Sequence, residues 1–260
     1  QARNIVFVTQ AGDLVENSNL VSEYQVANSA MSMLDDVVPY GVVPGNHDLP
    51  TTLFNQFFPF TRYQGLPWYG GHYQNVNDNN FELFSAGTKD FVIVHLTFCP
   101  SPDAVAWAKS IFDTYPNRIG IVTTHGYLNE FAQRTVHICG STQYLWDSLG
   151  AITSNLRFML SAQVSGESSR IDTVGSRTVL QLMADFQSRS SGGEGWLRIL
   201  RFVPSEDTVY VRTYSPWLNR YETDADSEFT LNFTMGAPWS VSAPVTVPSG
   251  SNATFAASGL

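Results

Sequence analysis

The sequence predicts an α/β domain, and a pattern seen three times carries that prediction. Three short apolar runs, Ile5 to Thr9, Tyr40 to Val43 and Ile119 to Thr124, each lead into residues able to bind a metal. These are Gly12-Asp13, Gly45-Asn46-His47-Asp48 and His125. Runs that are apolar on both faces suit buried parallel strands. Stretches with helical spacing lie between strands, as right-handed crossover units require. In open α/β sheets, sites form where strand ends meet the loops that follow them.

The first run, Ile5 to Thr9, ends at Gly12-Asp13. Asn17 or Ser18 can cap a helix reaching about Asp36, with Leu20, Tyr24, Ala27, Met31 and Leu34 on one face. Pro39 stops that helix, and the strand to Val43 delivers Gly45-Asn46-His47-Asp48. Gly45 permits a sharp turn. Asn46 offers a neutral carbonyl oxygen, His47 a proton carrier near neutral pH, and Asp48 a carboxylate able to hold the imidazole. Because Gly, Asn and Asp are ordinary turn residues, a plain strand-to-loop turn is the alternative.

Residues 51–75 are crowded with Phe54, Phe57, Phe58, Phe60, Tyr63, Trp68, Tyr69 and Tyr73. They read as an insertion packing its own small core, with a loop shaping substrate access as the alternative. Phe81 to Ser85 and Phe91 to Phe98 form two strands around the turn Ala86 to Asp90. His95, inside the second, reads as a core histidine rather than a ligand. Pro102 to Tyr115 is a helix with Asp103 in its first turn. Arg118 to Thr124 is the strand that carries His125. Thr142 to Leu149 reads as a helix and Leu156 to Leu160 as a strand. Thr178 to Phe186, Trp196 to Val203 and Thr208 to Tyr214 are further strands, the last two paired across Pro204-Ser205-Glu206-Asp207. Phe229, Leu231 and Phe233 alternate with polar residues, as in an edge strand with one buried face.

Composition bounds the function. A chain of 260 residues with 43% hydrophobic content can bury a substantial core. No apolar run is long enough for a membrane span. A net charge of −9 argues against nucleic acid as partner, whereas bound metals can reverse the local sign and leave phosphorylated small molecules open. Cys99 and Cys139 allow one disulfide in an oxidising compartment, with two buried thiols as the alternative. Low Lys with abundant Ser, Thr, Asn and aromatics suits a secreted or extracellular protein.

The order Gly12-Asp13, Gly45-Asn46-His47-Asp48 and His125 resembles the calcineurin-like metallophosphoesterases. Their motifs run Asp-x-His, Gly-Asp, Gly-Asn-His-Asp, a lone His after a strand, and Gly-His-x-His. The resemblance covers roughly residues 1–235. The text around Trp68 to Tyr73 and Tyr214 to Trp217 suggests the secreted bacterial branch. It implies a four-layer αββα sandwich of two mixed β-sheets, with 236–260 a Pro/Ser/Val-rich linker or extended tail. It also implies phosphoester hydrolysis at a dinuclear metal site. Asp13 would bridge the metals, Asn46 and His125 would hold the second, and His47 would protonate the leaving oxygen, steadied by Asp48. Arg134, Arg170 and Arg189 could contact a phosphate, with solvated surface arginines as the alternative.

Two departures limit that function. The first motif is not seen, and only eleven residues precede Gly12. In the last motif, Gln163 and Ser165 stand where the family pattern has histidines. A Gln carbonyl is a weak ligand for transition metals. The expectation is therefore at most one divalent ion (Mn, Zn or Fe) and little or no hydrolysis of a small phosphoester. The alternative is a non-catalytic extracellular subunit that assembles through strand exchange. The missing strand would leave two rows of unpaired backbone groups in the sheet, and the uncharged tail after Gly236 could fill the gap in cis or from a neighbouring copy, building filaments.

Overall fold

The structure, a computed structural model, describes residues 4–136, 139–235 and, as a backbone strand, 253–258. Two seven-stranded mixed sheets stack face to face. In spatial order the first holds β14 (Arg220–Glu222), β13 (Thr208–Ser215), β12 (Leu197–Val203), β16 (Ala253–Ser258), β1 (Ile5–Gln10) and β2 (Tyr40–Gly41), with β15 (Glu228–Asn232) also paired to β13. The second holds β10 (Gly166–Val174), β11 (Arg177–Asp185), β9 (Leu156–Ser161), β6 (Ile119–Thr124), β5 (Lys89–Leu96), β4 (Asn80–Ala86) and β3 (Tyr69–His72). A small ribbon pairs β7 (Thr135–Val136) with β8 (Gly140–Ser141).

Period-two alternation divides each buried strand between two cores. Phe91 and Ile93 of β5 face the other sheet, where they meet Phe7, Leu200, Phe202 and Val209. Val92, Val94 and Leu96 face outward, onto Ala104, Val105, Ala108 and Phe112 of α3 (Pro102–Thr114). On the opposite face, α1 (Val21–Met31) and α2 (Thr52–Phe57) cover the first sheet through Tyr24, Ala27, Met31 and Phe54, which pack with Tyr40, Val42 and Trp68. The layers run helix, sheet, sheet, helix, which is the expected four-layer sandwich. The aromatic stretch after Thr51 does not pack a separate core of its own: Phe54, Phe58, Tyr63 and Trp68 join Tyr24, Met31, Tyr40 and Val42 in one cluster.

Several boundaries differ from the sequence reading. Neither Asn17 nor Ser18 caps α1. Leu20 occupies that position in extended conformation, and Glu23 reaches back to accept the amides of Glu16 and Asn17 at 2.9 and 2.8 Å. Leu20, expected on the buried face, is 46% exposed. By contrast α3 starts as its sequence indicates, with Ser101 Oγ accepting from the Ala104 amide at 3.3 Å and Pro102 in the first turn. The strand expected to reach Val43 pairs only over Tyr40–Gly41. The helix expected to follow Thr142 is one turn, Gln143–Leu145, continued as a π-helix over Trp146–Gly150.

One long strand, β10, is absent from the sequence reading. It is an edge strand, paired to β11 along its whole length. Its sequence Gly-Glu-Ser-Ser-Arg-Ile-Asp-Thr-Val faces mostly solvent, and Ile171 is 56% exposed, so no apolar alternation marks it. Of the linker or extended tail expected over 236–260, residues 236–252 and 259–260 lie outside the described residues. Among the described residues no helix is long and apolar enough to cross a membrane.

Cys99 and Cys139 form a disulfide that ties the exit of β5 to β8 across a sequence separation of 40. A closed loop of that length is worth about 4 kcal/mol in the chain-entropy account. Reduction, or Cys139→Ser, is expected to lower the melting temperature clearly in a calorimetric scan. An unchanged melt would contradict this role.

Candidate metal centre

Three strand exits converge at one end of the sandwich. After β1, the buried Gln10 side chain clasps the turn: its Oε1 accepts the Gly12 amide at 3.0 Å and its Nε2 donates to the Gly12 carbonyl at 2.5 Å. Gly12 has φ +97°, and any Cβ there would collide with the His125 ring. Asp13, next in the chain, is itself left-handed at φ +55°, an unfavourable conformation for a residue other than glycine. Gly45 is glycine for a related reason, since a Cβ there would strike the Asp13 carboxylate. The turn after β1 and the turn after β2 therefore pass in direct contact.

This packing brings Asp13, Asn46 and His125 together. His125 Nε2 lies 3.1 Å from Asp13 Oδ2 and 3.1 Å from Asn46 Oδ1. His125 Nδ1 donates to the Ala11 carbonyl at 2.7 Å. That carbonyl can only accept, so Nδ1 carries the ring proton. Nε2 faces two oxygens that are themselves acceptors, so a proton on Nε2 or a cation between them satisfies all three atoms. Asp13 and His125 are both buried, which sharpens the need.

The remaining site residues occupy different places. Asp13 Oδ1 accepts the His47 amide at 2.9 Å. The His47 ring does not rest on Asp48, as the sequence suggested. Its Nδ1 donates to the Glu16 carbonyl at 2.9 Å, and that bond raises its pKa, with the Asp13, Glu16 and Asp48 charges adding to the shift. Asp48 turns inward because its carboxylate has three donors to satisfy: the amides of Gly45 at 2.8 Å and Leu14 at 3.1 Å, and the Tyr24 hydroxyl at 3.2 Å. Burial pushes its carboxyl up to about 6 against the pull of those bonds.

The exit of β9 is tied to that of β6 by the Ala162 amide, which donates to the His125 carbonyl at 2.9 Å. Gln163 follows at φ +73°, with its Oε1 buried and lacking a hydrogen-bond partner. Ser165 is exposed. A further carboxylate, Asp185 at the end of β11, was missed in the sequence. It is buried, burial raises its pKa, and the charges of His125 and Asp13 act on it. The signal was the same as elsewhere, an apolar run ending in a carboxylate.

The other candidates are used structurally. His95 lies 2.9 Å from Glu82 and 2.8 Å from Thr9 Oγ1, deep between the sheets. Arg134 and Arg170 both pair with Asp172, and Arg189 pairs with Glu222 and Glu167. Among the described residues there is no cluster of three or more His, Cys, Asp or Glu side chains placed to hold a metal. The donor set is one carboxylate, one imidazole and amide oxygens.

A sequence model for calcineurin-like phosphoesterases matches residues 1–221. A relative in Bacillus subtilis (strain 168), the uncharacterized protein YvnB, is 29% identical over 248 residues, which cover 88% of this chain and 19% of YvnB. The chain thus spans about a fifth of that relative's length.

Asp48→Ala would strand three buried donors and is expected to cost about 3 kcal/mol or more, read as a shift in urea midpoint. A midpoint within experimental error of wild type would show that Asp48 does not hold the two turns together.

Proposed function

Because the chain belongs to the calcineurin-like phosphoesterase family, we propose that it binds phosphoesters against one divalent cation held by Asp13, Asn46 and His125, and hydrolyses them slowly. The observation that carries this reading is the convergence of two acceptor oxygens, Asp13 Oδ2 and Asn46 Oδ1, on His125 Nε2, while His125 Nδ1 donates to the Ala11 carbonyl. The orphaned Gln163 Oε1 is a further buried acceptor on the strand exit bonded to His125, and it fits the same need. A carboxylate, an imidazole and amide oxygens suit Mn, Zn or Fe.

When bound, such an ion polarises a phosphoryl oxygen and lowers the pKa of a coordinated water. The rest falls to this chain. Asp13 fixes the His47 backbone through the amide bond at 2.9 Å. The Glu16 carbonyl accepts His47 Nδ1–H and raises the ring pKa, which leaves Nε2 as the ring atom that can carry a proton to a leaving oxygen. Asp48 acts at one remove, by clamping the Gly45 and Leu14 amides that position both turns.

Slow turnover follows from the last strand exit. Gln163 offers only an amide oxygen and Ser165 only an exposed hydroxyl, so a second ion lacks strong ligands there. The Cys99–Cys139 bridge supports export to an oxidising compartment. With Mn²⁺ and an aryl phosphate, wild type is expected to turn over near background. The Gln163→His/Ser165→His variant is expected to be at least about tenfold faster. Wild-type turnover at ordinary enzymatic rates, about 1 s⁻¹ or more, would sink the reading.

A further inference from the structure

A cavity of about 600 Å³ opens at the end of the sandwich opposite the metal centre. Arg157, Arg177 and Thr178 line one side of it, where β9 and β11 begin. Glu206 and Asp207, in the turn from β12 to β13, line the other. β9 starts here and leaves at Ser161, toward Gln163, so its length separates the two ends. The volume is that of a small-molecule site, in which a few placed polar groups fix the ligand.

An irregularity in β9 places Arg157. Gly120 pairs with Leu156 but Ile121 with Phe158, so the register slips at Arg157. An extra residue of this kind re-aims its side chain. The Arg157 guanidinium donates one hydrogen bond, from Nη1 to the Ser154 carbonyl at 3.2 Å. Arg177 is held by three carbonyls, those of Leu156 at 2.9 Å, Gly150 at 2.7 Å and Ala151 at 3.0 Å. Among the described residues neither arginine forms an ion pair with a carboxylate. Burial lowers the pKa of both, and the Arg177 charge lowers that of Arg157 further. Two neighbouring guanidinium groups, one with N–H groups to spare, call for an anion. Across the cavity, Glu206 Oε2 accepts the Tyr210 hydroxyl at 2.6 Å and Asp207 Oδ1 accepts the Met235 amide at 2.9 Å. Each of these exposed carboxylates keeps a second oxygen that can accept. The Lys89 charge acts on Asp207, which makes Glu206 the less compensated of the two. The two signs of charge thus face the cavity from opposite sides and do not cancel in direct pairs.

We propose that this cavity binds a small zwitterion of the amino-acid or short-peptide class, its carboxylate on Arg157 and its ammonium toward Glu206 and Asp207. The planar guanidinium of Arg157 suits a carboxylate in bidentate contact. Arg177 adds positive charge from a fixed position, since its donors are engaged by backbone carbonyls. The site stands independently of the cation reading, because it shares no residue with Asp13, Asn46 and His125.

The test is an NMR titration of the isotope-labelled full chain with glycylglycine, in chelator so that no metal takes part. Two blocked analogues run in parallel: N-acetylglycylglycine, which keeps only the carboxylate, and glycylglycine amide, which keeps only the ammonium. Glycylglycine is expected to give saturable shifts at Arg157, Arg177 and Glu206, and each analogue to bind at least about tenfold more weakly. Arg157→Gln and Glu206→Gln are each expected to weaken glycylglycine binding by about tenfold or more. Should Arg157→Gln melt early, Glu206→Gln decides, because that side chain is exposed and its loss leaves the fold intact. Mn²⁺ binding is expected to be the same in Glu206→Gln as in wild type. Absence of saturable shifts up to about 10 mM glycylglycine overturns the proposal. So does equal binding of N-acetylglycylglycine, which would make the cavity a plain anion site, or glycylglycine binding that Glu206→Gln leaves unchanged.

Discussion

Asp13 sits where the turn after β1 passes against the turn after β2, and the separation there leaves no room for a side chain at Gly45 or Gly12. The carboxylate is held by this contact, since one oxygen takes the His47 amide and the other faces His125. Asp48 completes the contact from beneath, taking the Gly45 amide from one turn and the Leu14 amide from the other. Two carboxylates thus share the labour. Asp48 is spent on holding backbone together in the interior, which leaves Asp13, strained at φ +55°, to face His125.

A second layer of polar groups lies directly below, between the sheets. Thr9 Oγ1 bonds to His95 at 2.8 Å and to Thr123 Oγ1 at 3.1 Å, and His95 sits 2.9 Å from Glu82. Burial raises the Glu82 pKa while the nearby His95 opposes it. These groups register β1 against β4, β5 and β6, so the two sheets are keyed at the level just before Asp13. Gly41 is part of the key, because any Cβ there would meet the His95 ring. The pairing of β16 acts on the same strand from the side. Asp13 is therefore placed by three separate constraints, from its turn, from the sheet interface below and from the neighbouring strand.

Much of this was legible in the sequence. Buried strands such as β5 and β6 announce themselves because both faces are covered, while the αββα layering was available only through the family resemblance. The strand-end residues Asp13, Asn46 and His125 were legible because each follows such a run. What was not legible depends on contacts made far along the chain. Which group holds His47 turned on a backbone carbonyl at Glu16, and no side-chain pattern reports a carbonyl. Asp48 is paired inward by Tyr24, a residue of α1 whose only sequence signal was hydrophobic periodicity. The edge strand β10 was silent because solvent on its outer side leaves no alternation to read.

The central claim is that one divalent cation belongs between Asp13, Asn46 and His125. Elemental analysis of the full chain, after equilibration with Mn²⁺ and removal of excess, tests it most directly, with His125→Ala measured in parallel. One ion per chain in wild type and none in the variant is the predicted result. Two ions in wild type, or an ion that survives loss of the imidazole, would contradict the account.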